Sequence, residues 1–383
     1  MTVLTLLGIM LANNSDIELV MQYANITGWG KCLPPAVLSN EDLATFLDTS
    51  DEWISTRTGI KERRISHVST ATLASLAAKR ALAAAGLDAA ELDMVILGTA
   101  CPDTLIPNSA SLVQANIGAV NAAVFDLNAA CTGFVYGLSI GTGMIRSGAM
   151  KKVLVIGADR IPYFLDYSQR DVSVLFGDGA GAVVLEACDE ECGLIAEKLG
   201  CDGEARDILA ARDSGTARER FAAVDGYFDV NFEGQEIFKR AVRGMGQAIT
   251  GVLEKLELEP EQIDLLIPHQ ANVRIIDTLA KRMKAPPEKV VVNIEKYGNT
   301  SAATVPIALC EALEEGRIKA GDKILTAAFG AGLTWGAAVI KWGPRTTPVG
   351  ECTEELPKSD KTALDILMPW VKGCQEAAAK KAE

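Results

Sequence analysis

Short unbroken apolar runs recur along the chain, separated by longer Ala-rich stretches. MVILG (94–98), VLVIGA (153–158), LLIP (265–268) and ILTAAF (324–329) show no alternation of polar and apolar positions. Runs of this kind predict strands buried on both faces, and their alternation with helical stretches predicts an α/β architecture. One helix is predicted from Thr70 to Ala85, with Ser69 or Thr70 at its N-cap and Gly86 just past its end. A second is predicted to start near Cys131 and stop before Gly148. It is apolar almost all round, which places it in the interior. After Gly343 the pattern changes to a polar tail with a final Ala/Lys/Glu helix candidate, read as a surface appendage that the chemistry does not need.

The pattern also repeats. AAGLDAAELDMVILGTACPD (84–103) lines up with EKLELEPEQIDLLIPHQANV (254–273), and KKVLVIGAD (151–159) with DKILTAAFG (322–330). Between these landmarks NAACTG (128–133) falls opposite GNTSAA (298–303). A third pair, GDGAGAVVLE (177–186) and GLTWGAAVIK (332–341), stands closer together, so the first half carries an extra loop at about 160–176. Three matches in one order indicate duplication. The expected organisation is an N-terminal extension (1–21), two like halves (22–195 and 196–342) and a tail (343–383).

A formal charge of −13 argues against a general nucleic-acid binder, and any anionic partner must meet a local basic patch. Nine cysteines without paired spacing read as reduced thiols of a cytoplasmic protein. No segment suits a membrane span; the apolar stretch Val3 to Ala12 is too short.

Three residues stand out as chemistry. Cys131, in DLNAACTGF, falls where an apolar strand passes into the buried helix. The positive end of a helix dipole there favours a thiolate. His269 ends the strand LLIP, and strand-end loops of α/β proteins present catalytic groups. Asn299, in YGNTSAA, alone reads as a helix N-cap, but the repeat sets it near the counterpart of Cys131. His67 follows the charged run KERRIS and reads as an exposed residue. Trp53 reads equally as simple packing.

The blocks DLNAACTGF, IPHQANVRII, YGNTSAATVPIAL and FGAGLTWGAA resemble the signatures of β-ketoacyl-acyl carrier protein synthase III, as do TSDEWISTRTGI (49–60) and FGDGAGAVVL (176–185). The resemblance spans about residues 22–342 and implies a thiolase-like αβαβα layered fold, usually as a homodimer. It implies that Cys131 takes an acyl group from an acyl-coenzyme A. His269 and Asn299 would then stabilise the enolate left when malonyl-acyl carrier protein loses carbon dioxide. By the same resemblance Trp53, Arg57 and Arg170 contact coenzyme A. Lys239, Arg274, Lys281 and Arg282 would contact the acidic carrier protein, and Ile106 and Phe329 would border the acyl pocket. No metal or cofactor is implied beyond the thioester substrates. Gln235 and Ile106 depart from the usual Asn and larger aromatic, which leaves the primer open.

Other readings share these residues. A related condensing enzyme with a different second substrate fits the same triad, although the hydroxymethylglutaryl type needs a glutamate that the 95–125 stretch lacks. A Cys–His–Asn hydrolase fits the order of the residues but not the duplication. A silent carrier-binding scaffold would not need all three.

Overall fold

The computed structural model describes residues 22–211, 216 and 230–382, so the expected N-terminal extension (1–21) lies outside the described residues. Its strands are β1 (Tyr23–Cys32), β2 (Ala36–Ser39), β3 (Glu62–Ile65), β4 (Met94–Gly98), β5 (Ala123–Leu127), β6 (Lys152–Arg160), β7 (Asp178–Cys188), β8 (Gly193–Cys201), β9 (Leu209–Ala211), β10 (Val230–Phe232), β11 (Leu265–Pro268), β12 (Lys323–Gly330) and β13 (Thr334–Lys341). A nine-stranded sheet runs in the order β11-β12-β13-β8-β1-β7-β6-β4-β5. Its two halves touch through one parallel contact, Ala24 to Gly193, between β1 and β8.

The halves repeat, except that β5 has as its counterpart only an isolated parallel bridge between Leu266 and Val290. β4 runs parallel to β6, which pairs antiparallel with β7; β11 runs parallel to β12, which pairs antiparallel with β13. Even the turn before each unit repeats: Asp93 accepts from the Lys152 amide at 2.9 Å, and Asp264 from the Lys323 amide at 2.8 Å. This moves part of the sequence alignment by one residue, so that Met94 matches Leu265 and Asn128 matches Asn299. The polar turns that fix the correspondence carry too little hydrophobic pattern to set it unaided.

Helices separate the two half-sheets and cover their outer faces, which gives the layered thiolase-like fold. Helices Gly133–Arg146 and Thr304–Glu314 fill the middle, and both are buried along most of their length. Residues from both, with β4, β6, β7, β11, β12 and β13, build one apolar core between the half-sheets. Helix Thr70–Ala85 covers the first half-sheet, with the Ser69 hydroxyl accepting from the Thr72 amide and Gly86 closing the end at φ 69°, as the sequence predicts. Helices Gly234–Leu256 and Val273–Arg282 cover the second.

Two connections break the repeat. Between β6 and β7 the first half inserts Ile161–Phe164 and Arg170–Ser173, where the second half has only the short turn 331–333. The tail is the other, and it is no appendage. Cys352 and Leu356 pack against the outer core of the first half, and the Arg345 guanidinium donates to the carbonyls of Thr27 and Ala85. Helix Ala363–Ala382 buries Ala363, Leu367, Val371 and Cys374. Those apolar positions recur at helical spacing within ALDILMPWVKGC (363–374), an apolar stretch that the polar sequence on either side masks in the tail's composition.

Candidate active site

Cys131 occupies a short turn, Ala130–Thr132, between the end of β5 and helix Gly133–Arg146. The opposing turn, Ser301–Ala303, is its counterpart in the second half. Ser301 is the hub that joins the sequence-predicted residues. Its hydroxyl donates to Cys131 Sγ at 3.4 Å, and its amide donates to Asn299 Oδ1 at 2.8 Å. Its carbonyl accepts from Thr304 Oγ1 at 3.1 Å, and Thr304 Oγ1 lies 2.6 Å from His269 Nδ1. Thr304 has a single hydroxyl proton; when it goes to the Ser301 carbonyl, Nδ1 carries the imidazole proton and Nε2 has a bare lone pair. Ser301 stands in the motif YGNTSAA, which by itself gives it no role. The duplication was the available signal, because it sets Ser301 opposite the residue beside the cysteine.

Backbone geometry holds the thiol in place. Ala130 and Ser301 both adopt left-handed φ, 47° and 54°, on the two sides of the site. A Cβ at Gly330 would fall 2.8 Å from the Cys131 nitrogen, so only glycine lets β12 approach this turn. Asp159, at the end of β6, is fully buried and ties the halves together. Its Oδ1 accepts from Thr99 Oγ1 and the amides of Ala100 and Cys101, and its Oδ2 from the Ala302 amide.

Burial governs the titration here. The Cys131 thiol is pushed up to about 12, chiefly by desolvation, and the Ser301 hydrogen bond only partly offsets this. The expected helix-favoured thiolate is therefore corrected. A helix N-terminus is worth at most about 2 kcal/mol and acts within one turn, whereas a shift of this size amounts to roughly 4 kcal/mol. Burial also drives His269 down to about 3, so the imidazole is neutral.

An apolar cavity of about 550 Å³ opens onto Cys131. Ser301, Ile161, Phe164, Leu165 and Phe176 line it, together with residues 100–105. Ile106 does not: it is 92% exposed at the tip of the loop, and its neighbour Leu105 takes the lining position. Phe329 also faces elsewhere. Successive residues of a strand point to opposite sides, and with Gly330 against the nucleophile turn Phe329 lines a second cavity of about 500 Å³ with Lys239, Arg243 and Trp335.

The remaining site residues form two groups. The guanidinium carbons of Arg57 and Arg170 lie 4.6 and 4.5 Å from the centre of the Trp53 ring. Lys239, Arg274, Lys281 and Arg282 are exposed on two adjacent helices. Arg282 crosses to Thr250 Oγ1 at 3.2 Å over Gly246, where a Cβ would strike the guanidinium at 2.1 Å. Arg240, next to Lys239, is held by Asp202 and Glu236, and Glu236 also pairs with Lys239 at 3.5 Å. His67 Nε2 lies 2.6 Å from the Pro357 carbonyl, far from this cluster in the chain and tied to the tail. Among the described residues no group of acidic, His and Cys side chains is placed to hold a metal, and no helix is long and apolar enough to cross a membrane.

Family models of 3-oxoacyl-[acyl-carrier-protein] synthase III match residues 125–203, and those of its C-terminal part match residues 253–342. A β-ketoacyl-[acyl-carrier-protein] synthase III 2 of Vibrio vulnificus (strain YJ016) is 60% identical over 352 residues, covering 92% of this chain and 97% of that protein. A synthase III of Roseiflexus sp. (strain RS-1) is 51% identical over 324 residues, 84% of this chain and 98% of its own. The crystal structure of 3-oxoacyl-[acyl-carrier-protein] synthase III from Aquifex aeolicus VF5 superposes with a TM-score of 0.78 at 47% identity, covering 83% of this chain and all of that one. With this likeness running through both halves and the turns between them, the chain belongs to the 3-oxoacyl-[acyl-carrier-protein] synthase III family.

Proposed function

We propose that the protein starts fatty acid synthesis by condensing an acyl-coenzyme A with malonyl-acyl carrier protein, through an acyl thioester on Cys131. The observation that carries this reading is a cysteine at the mouth of an apolar cavity, joined through Ser301 to Asn299 and, by way of Thr304, to His269. In the first step Sγ attacks the thioester carbonyl of the acyl-coenzyme A and the coenzyme A thiolate leaves. The thiol proton must go elsewhere as the bond forms, and the bare Nε2 of His269 is the acceptor that the Thr304 contact prepares. The resulting imidazolium is a donor at Nε2. Coenzyme A leaves as the thiolate and takes its proton from water, so the imidazolium keeps this donor for the second step. In the second step the Asn299 amide and His269 face the carbonyl of the malonyl thioester. Charge collects on that oxygen as carbon dioxide leaves. The carbanion attacks acyl-Cys131, the C–S bond breaks to release 3-oxoacyl-carrier protein, and the Cys131 thiolate takes back the proton held by His269.

Trp53 with Arg57 and Arg170 is the proposed coenzyme A contact, because an adenine can replace one guanidinium over the indole. Lys239, Arg274, Lys281 and Arg282 form the proposed landing face for the acidic carrier protein. The chain works as a cytoplasmic homodimer in this reading. The edge strand β5 is only half covered, and Leu105, Ile106, Leu112 and Val120 are exposed on neighbouring segments. An exposed Ile106 acts on an acyl chain only by reaching into a second copy.

Intact-mass measurement after mixing with acyl-coenzyme A is the test. Acylation of Cys131, followed by 3-oxoacyl product on addition of malonyl-carrier protein, is expected. Net thioester hydrolysis without product would instead favour the hydrolase reading.

A further inference from the structure

We propose that helix Ala363–Ala382 sets the depth of the acyl cavity, with Trp370 as the positioning residue; this rests on the acyl-transfer reading above. One wall of the cavity is made by the insertion between β6 and β7, whose residues Ile161, Phe164 and Leu165 face the space beside Cys131. None of these three lies in a strand, so no sheet ladder holds the wall. A buried carbonyl in such a segment needs a donor from outside it.

The tail helix supplies that donor. Trp370 Nε1 donates to the Leu165 carbonyl at 2.9 Å, and Cys374 Sγ reaches the same oxygen at 3.7 Å. The Trp370 ring stacks on Tyr163, with centres 5.1 Å apart and planes 20° from parallel. Arg160, where β6 ends, holds Tyr163 through its ring at 5.3 Å. One turn further on, Gln375 donates to the Phe46 carbonyl at 3.4 Å. The helix itself is anchored by Leu367, 4% exposed, and Val371, fully buried. The wall thus stands between the substrate space and a fixed backstop, and the backstop sets how far Leu165 can retreat from a long acyl chain.

Shaving the backstop should let the wall yield. Trp370→Ala removes both the donor and the stacking partner, while Trp370→Phe keeps a ring and removes only the donor. The measurement is kcat/KM for straight-chain primers from acetyl- to decanoyl-coenzyme A, with malonyl-carrier protein saturating. Thermal unfolding and malonyl decarboxylation by the unacylated enzyme are followed alongside. In Trp370→Ala the ratio of long- to short-chain kcat/KM should rise by roughly tenfold. Trp370→Phe should give a smaller rise in the same direction, with decarboxylation unchanged in both. An unchanged ratio, or an equal fall for all primers, overturns the proposal and leaves the helix a purely structural role. If Trp370→Ala does not fold, the ratio in Trp370→Phe decides. Failure of every primer to acylate Cys131 in the unsubstituted protein would sink the acyl-transfer reading instead.

Discussion

Asn128 and Asn299 make the same turn in the two halves. Asn128 Oδ1 accepts from the Ala130 amide at 3.2 Å, and Asn299 Oδ1 accepts from the Ser301 amide at 2.8 Å. Each bond stabilises a non-glycine residue with φ near 50°, a conformation that costs about 1–3 kcal/mol when nothing supports it. One turn then presents a thiol and the other an amide. The amide of Asn299 is thus aimed by a bond that its own oxygen makes.

The two chemical steps should therefore separate. Asn299→Ala should lose malonyl decarboxylation by about 10²–10³ and still take up an acyl group, though more slowly as the Ser301 turn loosens. Cys131→Ala should abolish acylation and retain decarboxylation. Radiolabelled carbon dioxide release and intact mass read the two steps independently. Equal loss of acylation in both variants, with decarboxylation untouched, would refute the division of roles.

Alkylation of Cys131 should report its burial. A thiol pushed up to about 12 gives a thiolate fraction that grows about tenfold per pH unit below that value. Iodoacetamide labelling of the Cys131 peptide should accelerate from pH 7 to pH 9.5 without levelling. A plateau below pH 9 would show that the turn stabilises the thiolate after all.

Acid should weaken the fold partly through His269. Its folded value of about 3 lies below the ordinary 6.5, so its contribution is complete above pH 6.5 and is lost as pH falls toward 3. Asp178 works the opposite way: burial raises it to about 7, so the unfolded state loses its proton first and stability declines as pH climbs from about 4 to 7. The change in urea midpoint from pH 4.5 to pH 7, taken with its sign, should be lower in His269→Gln than in the unsubstituted protein. An identical change would show that His269 titrates alike in the folded and the unfolded chain.

Charge reversal on the basic face should act on one substrate only. Lys239→Glu with Lys281→Glu should raise KM for malonyl-carrier protein several-fold, more at low salt, with kcat and Cys131 acylation by acyl-coenzyme A little changed. Both side chains are exposed, so the fold should tolerate the pair. A rise in KM for the acyl-coenzyme A instead would move the carrier site elsewhere.

The catalytic turns were legible because duplication wrote them twice, with Asn128 and Asn299 anchoring equivalent segments. Buried strands such as Met94–Gly98 were legible from unbroken apolar runs. Less could be read where the outcome depends on neighbours distant in sequence. Cys131 shows no local sign that surrounding atoms will outweigh the helix end. Phe329 and Ile106 sit in motifs that fix their place in the chain, yet strand alternation and the turn of a loop decide which space each side chain enters. Trp370 stands beside Pro369 in a polar tail, and only the folded chain reveals its partner to be the Leu165 carbonyl, some two hundred residues earlier.

The insertion between β6 and β7 gives polarity to a scaffold that would otherwise read the same from either side. Two matching turns face each other, but only the first half walls off a space beside its own. A guest lodged there meets the thiol from one direction, with Ser301 of the opposing turn beside it. Traffic through the molecule is therefore one-sided: each chain seats a single acyl group, and whatever extends that group must approach from the other face.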